Sequence, residues 1–229
     1  MYDRQYDDKI FTFEPSGGLV NATLVMQDFE TDSYWSIMTH EAIQGKEKGT
    51  KLKEIPISVK MQWQDWVKKY PHTLVLSVEG KEDAGSGYIN YFNSEKGFRG
   101  ISATDDRLES KEQIFIFVYE NKKYAVPNEQ IEGGKVFDLG TARIFLYRPE
   151  GAEMFYSTLA FMTKSIGFAK VDNGWREIDS ECVFSSDTGS FANGKTVCPK
   201  RINGFDTFWY TWSLNNPDTE LLGGYSEEE

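Results

Sequence analysis

Short apolar runs broken by turn-forming residues recur along the chain, and few of them carry the three-to-four-residue spacing of a helix. In the first third, Ile10-Phe11-Thr12-Phe13 has strand chemistry, and Pro15-Ser16-Gly17-Gly18 predicts a turn after it. Leu24-Val25-Met26 reads as a buried strand leading into the polar turn Asp28-Phe29-Glu30-Thr31-Asp32-Ser33 and then Tyr34-Trp35. A lysine-bearing loop follows between Gly45 and Gly49. A helix is predicted over 63–69, where Trp63 and Trp66 stand three apart on one face and Pro71 ends it; a strand is predicted over 73–78.

The stretch 79–110 reads as a charged connector with five glycines, but Tyr88, Tyr91, Phe92 and Phe98 interrupt it. A disordered linker is poorer in aromatics, so this one is expected to lie packed on the surface. Beyond it, Ile114-Phe115-Ile116-Phe117-Val118-Tyr119 is the strongest strand of the chain, and Glu120-Asn121-Lys122-Lys123 turns it into Tyr124-Ala125-Val126. Further strands are expected over 142–147 and within 154–169, with Asp172-Asn173-Gly174 as a hairpin turn and a short helix over 208–215. The expected class is mainly β (α+β).

Part of this pattern occurs twice. Trp63, Trp66, Pro71 and Thr73 recur as Trp209, Trp212, Pro217 and Thr219, each displaced by 146 residues. Upstream, Trp35, Thr39 and Gly45 correspond to Phe184, Thr188 and Gly194 at a displacement of 149. Such self-similarity predicts two pseudo-repeats of antiparallel strands with short helices, burying their apolar faces against each other in one compact body. The units are 1–78 and 111–229, with 79–110 between them. Core packing is the expected role of the paired tryptophans, and Trp66 and Trp212 are expected to be equivalent and largely buried.

Composition narrows the function classes. The net charge is −11, a field that repels nucleic-acid backbones and anionic membranes. No apolar run approaches the roughly 20 residues needed to span a bilayer. Met1-Tyr2-Asp3-Arg4-Gln5 is too polar for a secretory signal, so the chain is expected to be cytoplasmic, already processed, or to start upstream of Met1. Cys182 and Cys198 are the only cysteines. A bridge and two buried thiols are both open; two reduced thiols are expected, since a core of this size needs no staple.

Candidate chemistry is sparse. His40 and His72 are the only histidines and neither has a partner that the sequence reveals, so no nucleophilic triad follows. No motif implies a metal or a cofactor. The polar set Asn21, Asp28, Thr31 and Ser33 beside Trp35, with Glu41 nearby, has two readings. These residues tie strand ends together, the default; or Asn21, Asp28, Ser33, Trp35 and Glu41 line a cleft for a polar small molecule such as a glycan. The leading expectation for the chain is a non-enzymatic binding or interaction module. The alternative is a hydrolase acting on a polar substrate through acidic residues near Trp35.

Several of these segments together resemble a known family. They are the run from Phe13-Glu14-Pro15-Ser16-Gly17-Gly18-Leu19-Val20-Asn21 through Glu30-Thr31-Asp32-Ser33-Tyr34-Trp35-Ser36, then Trp66 with Pro71 and Thr73, and the closing Phe205, Phe208-Trp209, Trp212 and Pro217-Asp218-Thr219-Glu220-Leu221. The family is the bacterial and archaeal one catalogued as domain of unknown function 3179, and the resemblance covers nearly the whole chain. It implies no established activity. It does imply a cysteine-containing strand ahead of Tyr2-Asp3-Arg4 and, in many members, an export signal. It also implies glycine after Thr39, where this chain has His40, so a function shared by the family is not expected to depend on that imidazole.

Overall fold

The computed structural model describes residues 2–55, 59–77, 79–80, 88–152, 156–171 and 174–223. Most of the regular structure is antiparallel strand, with few and short helices, as expected. In chain order the strands of the first part are β1 (Gln5–Tyr6), β2 (Lys9–Ile10), β3 (Phe13–Val20), β4 (Thr23–Asp28), β5 (Tyr34–Ser36) and β6 (Glu41–Gln44), followed by helices α1 (Trp63–Lys69) and α2 (Ile89–Phe92). Then come β7 (Gln113–Tyr119), β8 (Lys122–Pro127), β9 (Lys135–Asp138), β10 (Arg143–Tyr147), β11 (Leu159–Thr163), β12 (Phe168–Val171), β13 (Gly174–Glu177), β14 (Val183–Ser185), β15 (Ser190–Ala192), β16 (Phe205–Phe208), helix α3 (Trp209–Ser213) and β17 (Glu220–Leu221).

The hairpin β7–β8 is the centre of the second part. Its side chains alternate across the sheet. Phe115, Phe117, Tyr124 and Val126 face the three-stranded sheet β9–β10–β11 through Ile144, Leu146 and Ala160. Ile114, Ile116 and Ala125 lie under Trp209 and Trp212 of α3. Both faces are covered over Ile114 to Phe117, which is why these four form an unbroken apolar run rather than an alternating one. A third cluster, rich in phenylalanine, joins β10 and β11 to the meander β12–β15 through Phe145, Phe161, Phe168, Phe184 and Phe191. The first part is a meander, β3–β6, closed around Phe11, Trp35 and Ala42. Met38 links the two parts by packing against the α3 cluster.

The two meanders share two rungs of register, although the first shifts register between Tyr34 and Trp35 and the second does not. Trp35 pairs with Ala42 and Ser36 with Glu41, as Phe184 pairs with Phe191 and Ser185 with Ser190. The amide of Asp28 donates to the Ser33 carbonyl at 3.1 Å, and that of Glu177 to the Cys182 carbonyl at 2.9 Å. A Cβ on Gly45 would stand 2.5 Å from the Ser33 hydroxyl, and one on Gly194 would stand 2.1 Å from the Cys182 sulfur, so both positions require glycine.

Four expectations need correction. Pro15 to Gly18 is no turn: it lies inside β3, where the register with β4 shifts between Pro15 and Leu19 and the Ser16 hydroxyl caps the Val25 carbonyl at 2.7 Å. The chain reverses instead at Asn21-Ala22, both with positive φ. The strand predicted over 73–78 does not form over 73–77, and Val78 lies outside the described residues. Its counterpart β17 adds to the edge of β8, whereas 74–76 has no such edge among the described residues and leaves Leu74 and Leu76 exposed. Helix α1 forms over the residues predicted but buries none of them, so Trp66 is only half-buried while Trp212 is 2% exposed.

The fourth correction concerns the cysteines. Cys182 and Cys198 are bridged, with Cα atoms 5.6 Å apart. Core size was the wrong criterion, because the bridge ties the strandless stretch 195–200 to a fully buried Cys182 in the phenylalanine cluster. The predicted turn at Asp172-Asn173 lies outside the described residues, although Val171 and Gly174 pair across it. In the connector, Tyr91 and the amide of Phe98 hydrogen-bond the Tyr210 hydroxyl, at 2.9 and 3.2 Å. Among the described residues no helix is long and apolar enough to cross a membrane.

Candidate functional site at the seam

A cleft of about 830 Å³ lies where the two parts meet. One wall is the β5–β6 turn and the segment after β6: Thr39, His40, Glu41, Lys51 and Glu54. The other is built from the β7 strand, Asn203-Gly204 and the C-terminal end of α3, with Phe117, Trp212, Asn215 and Asn216.

The turn is set locally. The Ser36 hydroxyl accepts from the amides of Met38 and Thr39, both at 3.3 Å, and His40 takes a positive φ of 59°, a conformation glycine adopts most freely. The His40 ring lies between Tyr2 and Phe205, with centroids at 5.0 and 5.9 Å. Burial drives its pKa down to about 4, with the Lys51 charge acting in the same direction, so the imidazole is neutral near pH 7. The His40 Nε2 and the Thr39 hydroxyl are both buried without a hydrogen-bond partner. Burial pushes the Glu54 carboxyl above the usual carboxylate range. Glu41 stands 4.0 Å from Lys51, and the side-chain amides of Asn203 and Asn216 are anchored on the carbonyls of Glu54 and Trp212, each at 3.3 Å.

The five residues singled out from the sequence divide. Glu41 lines the cleft. Asn21 stands behind it at the tip of the β3–β4 hairpin, donating to the Leu214 carbonyl at 3.0 Å and to Asn215 Oδ1 at 3.1 Å, and so clamps the hairpin onto α3. Asp28, Ser33 and Trp35 are brought together, but inside the meander, where all three are buried. The Asp28 carboxylate accepts from the Trp35 indole at 2.7 Å, the Thr31 amide at 2.5 Å, the Thr31 hydroxyl at 2.8 Å and the Ser33 amide at 3.3 Å. The Ser33 hydroxyl accepts from the Glu47 amide at 3.1 Å. With its oxygens so engaged, Asp28 organises the β4–β5 turn rather than facing a ligand. Thr39, Glu54, Asn203 and Asn216 were missed as site residues. The only signal was the repeat itself, which implied a seam but not its lining.

A family model described as a protein of unknown function, DUF3179, matches residues 1–219. The chain belongs to this family. The match includes both walls of the cleft, so the seam is a feature of the DUF3179 region rather than of an appended segment. No curated protein and no solved structure matched the chain.

Proposed function

We propose that this DUF3179 protein is a non-enzymatic binding module whose seam cleft takes a polar small molecule of the glycan class. The observation that carries the reading is the pair of buried, unpartnered groups on one wall, the Thr39 hydroxyl and the neutral His40 Nε2. A buried polar group without a partner is costly, and a ligand hydroxyl can donate to one such group and accept from another. The amides of Asn203, Asn215 and Asn216 offer further partners, while exposed Val118 and half-buried Tyr119 supply the apolar surface that the carbon face of a sugar requires. The net charge of −11 disfavours anionic ligands. The Cys182–Cys198 bridge suits an oxidising compartment, and we take the ligand to be met outside the cytosol.

The module reads further as two copies of one unit, with the second meander as scaffold. The two corresponding rungs of the meanders, the matching close approaches at Gly45 and Gly194 and the recurrence of the tryptophan motif support this. A panel of neutral oligosaccharides tested by calorimetry against the wild type and Thr39→Val decides the function. Binding by the wild type, weakened at least about tenfold in a Thr39→Val protein of unchanged thermal stability, is the expected result. Absence of binding across the panel, or equal binding by both proteins, would remove the proposal.

One observation favours the hydrolase alternative. Glu54, its carboxyl pKa raised, shares the cleft with Glu41, and a raised pKa is what a general acid needs. Turnover of a bound oligosaccharide, lost in Glu54→Gln while binding persists, would establish that alternative over the binding module.

A further inference from the structure

A second cavity, of about 260 Å³, opens beside β16 and shares no lining residue with the seam cleft. Asn128 forms part of its wall, at the first position of the 3-10 turn that follows β8. This side chain is 6% exposed, and both its Nδ2 and its Oδ1 are buried without a hydrogen-bond partner. Lys60 and Gln113 also line the wall, and two further polar groups beside Asn128 are committed elsewhere. Asp206 accepts from Arg148 at 3.0 Å, from the Thr158 hydroxyl at 2.6 Å and from the Thr158 amide at 2.8 Å. The Thr207 hydroxyl is shared with that of Thr211 at 2.7 Å. Phe92 and Phe208 complete the lining with two phenyl rings, and Lys111 Nζ sits 4.5 Å from the Phe208 ring centroid.

A buried primary amide that lacks both its donor and its acceptor bond is an unmet demand of defined geometry. One chemical group meets it in a single contact: another amide in the cis arrangement, whose N–H and C=O lie on one edge and pair with Oδ1 and Nδ2 together. The two phenyl rings suit a flat, apolar body attached to that edge. A carboxylate of the same shape has no donor for Oδ1 and leaves that acceptor unpaired. We propose that this cavity is a binding site for a neutral, planar carboxamide or lactam carried on an aromatic body.

Benzamide is the probe and benzoate its control, added to the intact ¹⁵N-labelled protein. Saturable movement of the Asn128 side-chain NH₂ resonances by benzamide is expected, with magnetisation transfer from the ring protons to that NH₂ pair. Benzoate should bind roughly tenfold more weakly or worse, because it leaves a buried acceptor unpaired. Asn128→Leu, close in shape, should lose benzamide binding by at least about the same factor. Unmoved Asn128 resonances at millimolar benzamide, equal binding of benzoate, or undiminished binding by Asn128→Leu would each overturn the site and leave only apolar adhesion to Phe92 and Phe208. Should Asn128→Leu not fold, the benzamide–benzoate comparison and the magnetisation transfer, both on the wild type, still decide the matter.

Discussion

The indole Nε1 of Trp212 donates to the Thr219 hydroxyl at 2.8 Å, locking the end of α3 to the start of β17. Trp66 and Thr73, displaced by 146 residues, make the same bond at the same distance. The turns agree as well: the Thr219 amide donates to the Asn216 carbonyl and the Thr73 amide to that of Tyr70. What differs is the surroundings. Trp212 and Thr219 are each 2% exposed, whereas α1 buries none of its residues.

That contrast sets an asymmetric expectation. Thr219→Val leaves a buried indole N–H unpaired and removes the hydroxyl's own bond to the Asn216 carbonyl, so a loss of about 2–3 kcal/mol is expected in urea unfolding. Thr73→Val should cost less than about 1 kcal/mol, since water reaches the half-buried Trp66. Likewise Trp212→Ala should cost about 3–5 kcal/mol and Trp66→Ala clearly less. Equal losses at the two positions would show that burial does not govern this motif.

The same contrast explains what the sequence made legible. Strands with both faces covered, such as β7, announce themselves as apolar runs, and the spacing of Trp63, Trp66 and Pro71 marks a helix whether or not anything covers it. Tertiary context decides the rest. The residues Pro15 to Gly18 serve a bulge as readily as a turn, and 73–77 has strand chemistry but no edge to join. Asp28, Ser33 and Trp35 were recognisable as a group, but not as facing inward, because turn-forming and ligand-binding residues are the same types. The cleft was least legible, because its walls come from parts of the chain distant in sequence, 149 residues apart for Glu54 and Asn203.

The Asp28 network predicts a structural phenotype. Asp28→Asn exchanges one acceptor oxygen for a donor that faces the Trp35 indole or the Thr31 and Ser33 amides, and Ser33→Ala strands the Glu47 amide. Each should lower stability by roughly 1–3 kcal/mol. Ligand affinity at the seam should stay within about twofold once unfolding is taken into account, since neither side chain lines the cleft. Abolished binding in a fully stable Asp28→Asn protein would reverse this assignment.

The disulfide closes a segment with a sequence separation of 16 residues, for which loop-closure entropy gives about 3 kcal/mol. Thiol titration of the unfolded, unreduced protein should therefore find no free groups. Paired Cys182→Ala and Cys198→Ala substitutions should lower the unfolding free energy by about 2–4 kcal/mol. Because the bridge anchors 195–200, amide exchange in that stretch should accelerate more than in β7 or β8. Uniform acceleration across the protein would indicate that the bridge acts only through the unfolded chain.

His40 gives the protein a pH dependence of defined sign. Its pKa falls from 6.5 to about 4 on folding, chiefly by burial, so between these values the unfolded chain binds a proton that the folded protein does not. Stability from this group is therefore complete above pH 6.5, declines as pH falls through the window, and changes no further below about pH 4. The loss is no more than about 3.5 kcal/mol. Glu54, with its carboxyl pKa raised by burial, contributes the opposite slope near the acid end of the window, so the wild-type curve alone does not isolate the imidazole. Asn at position 40 tolerates the positive φ and does not titrate in this range. The stability difference between wild type and His40→Asn, measured by urea unfolding at half-unit steps from pH 7.5 to 4, should move against the wild type as pH falls. A difference that is flat with pH would mean that the imidazole is as freely protonated in the folded protein as in the unfolded chain. The Nε2 would then be partly protonated near pH 7 and so a weaker acceptor in the seam cleft, leaving the Thr39 hydroxyl as the other unpaired buried group there among the described residues.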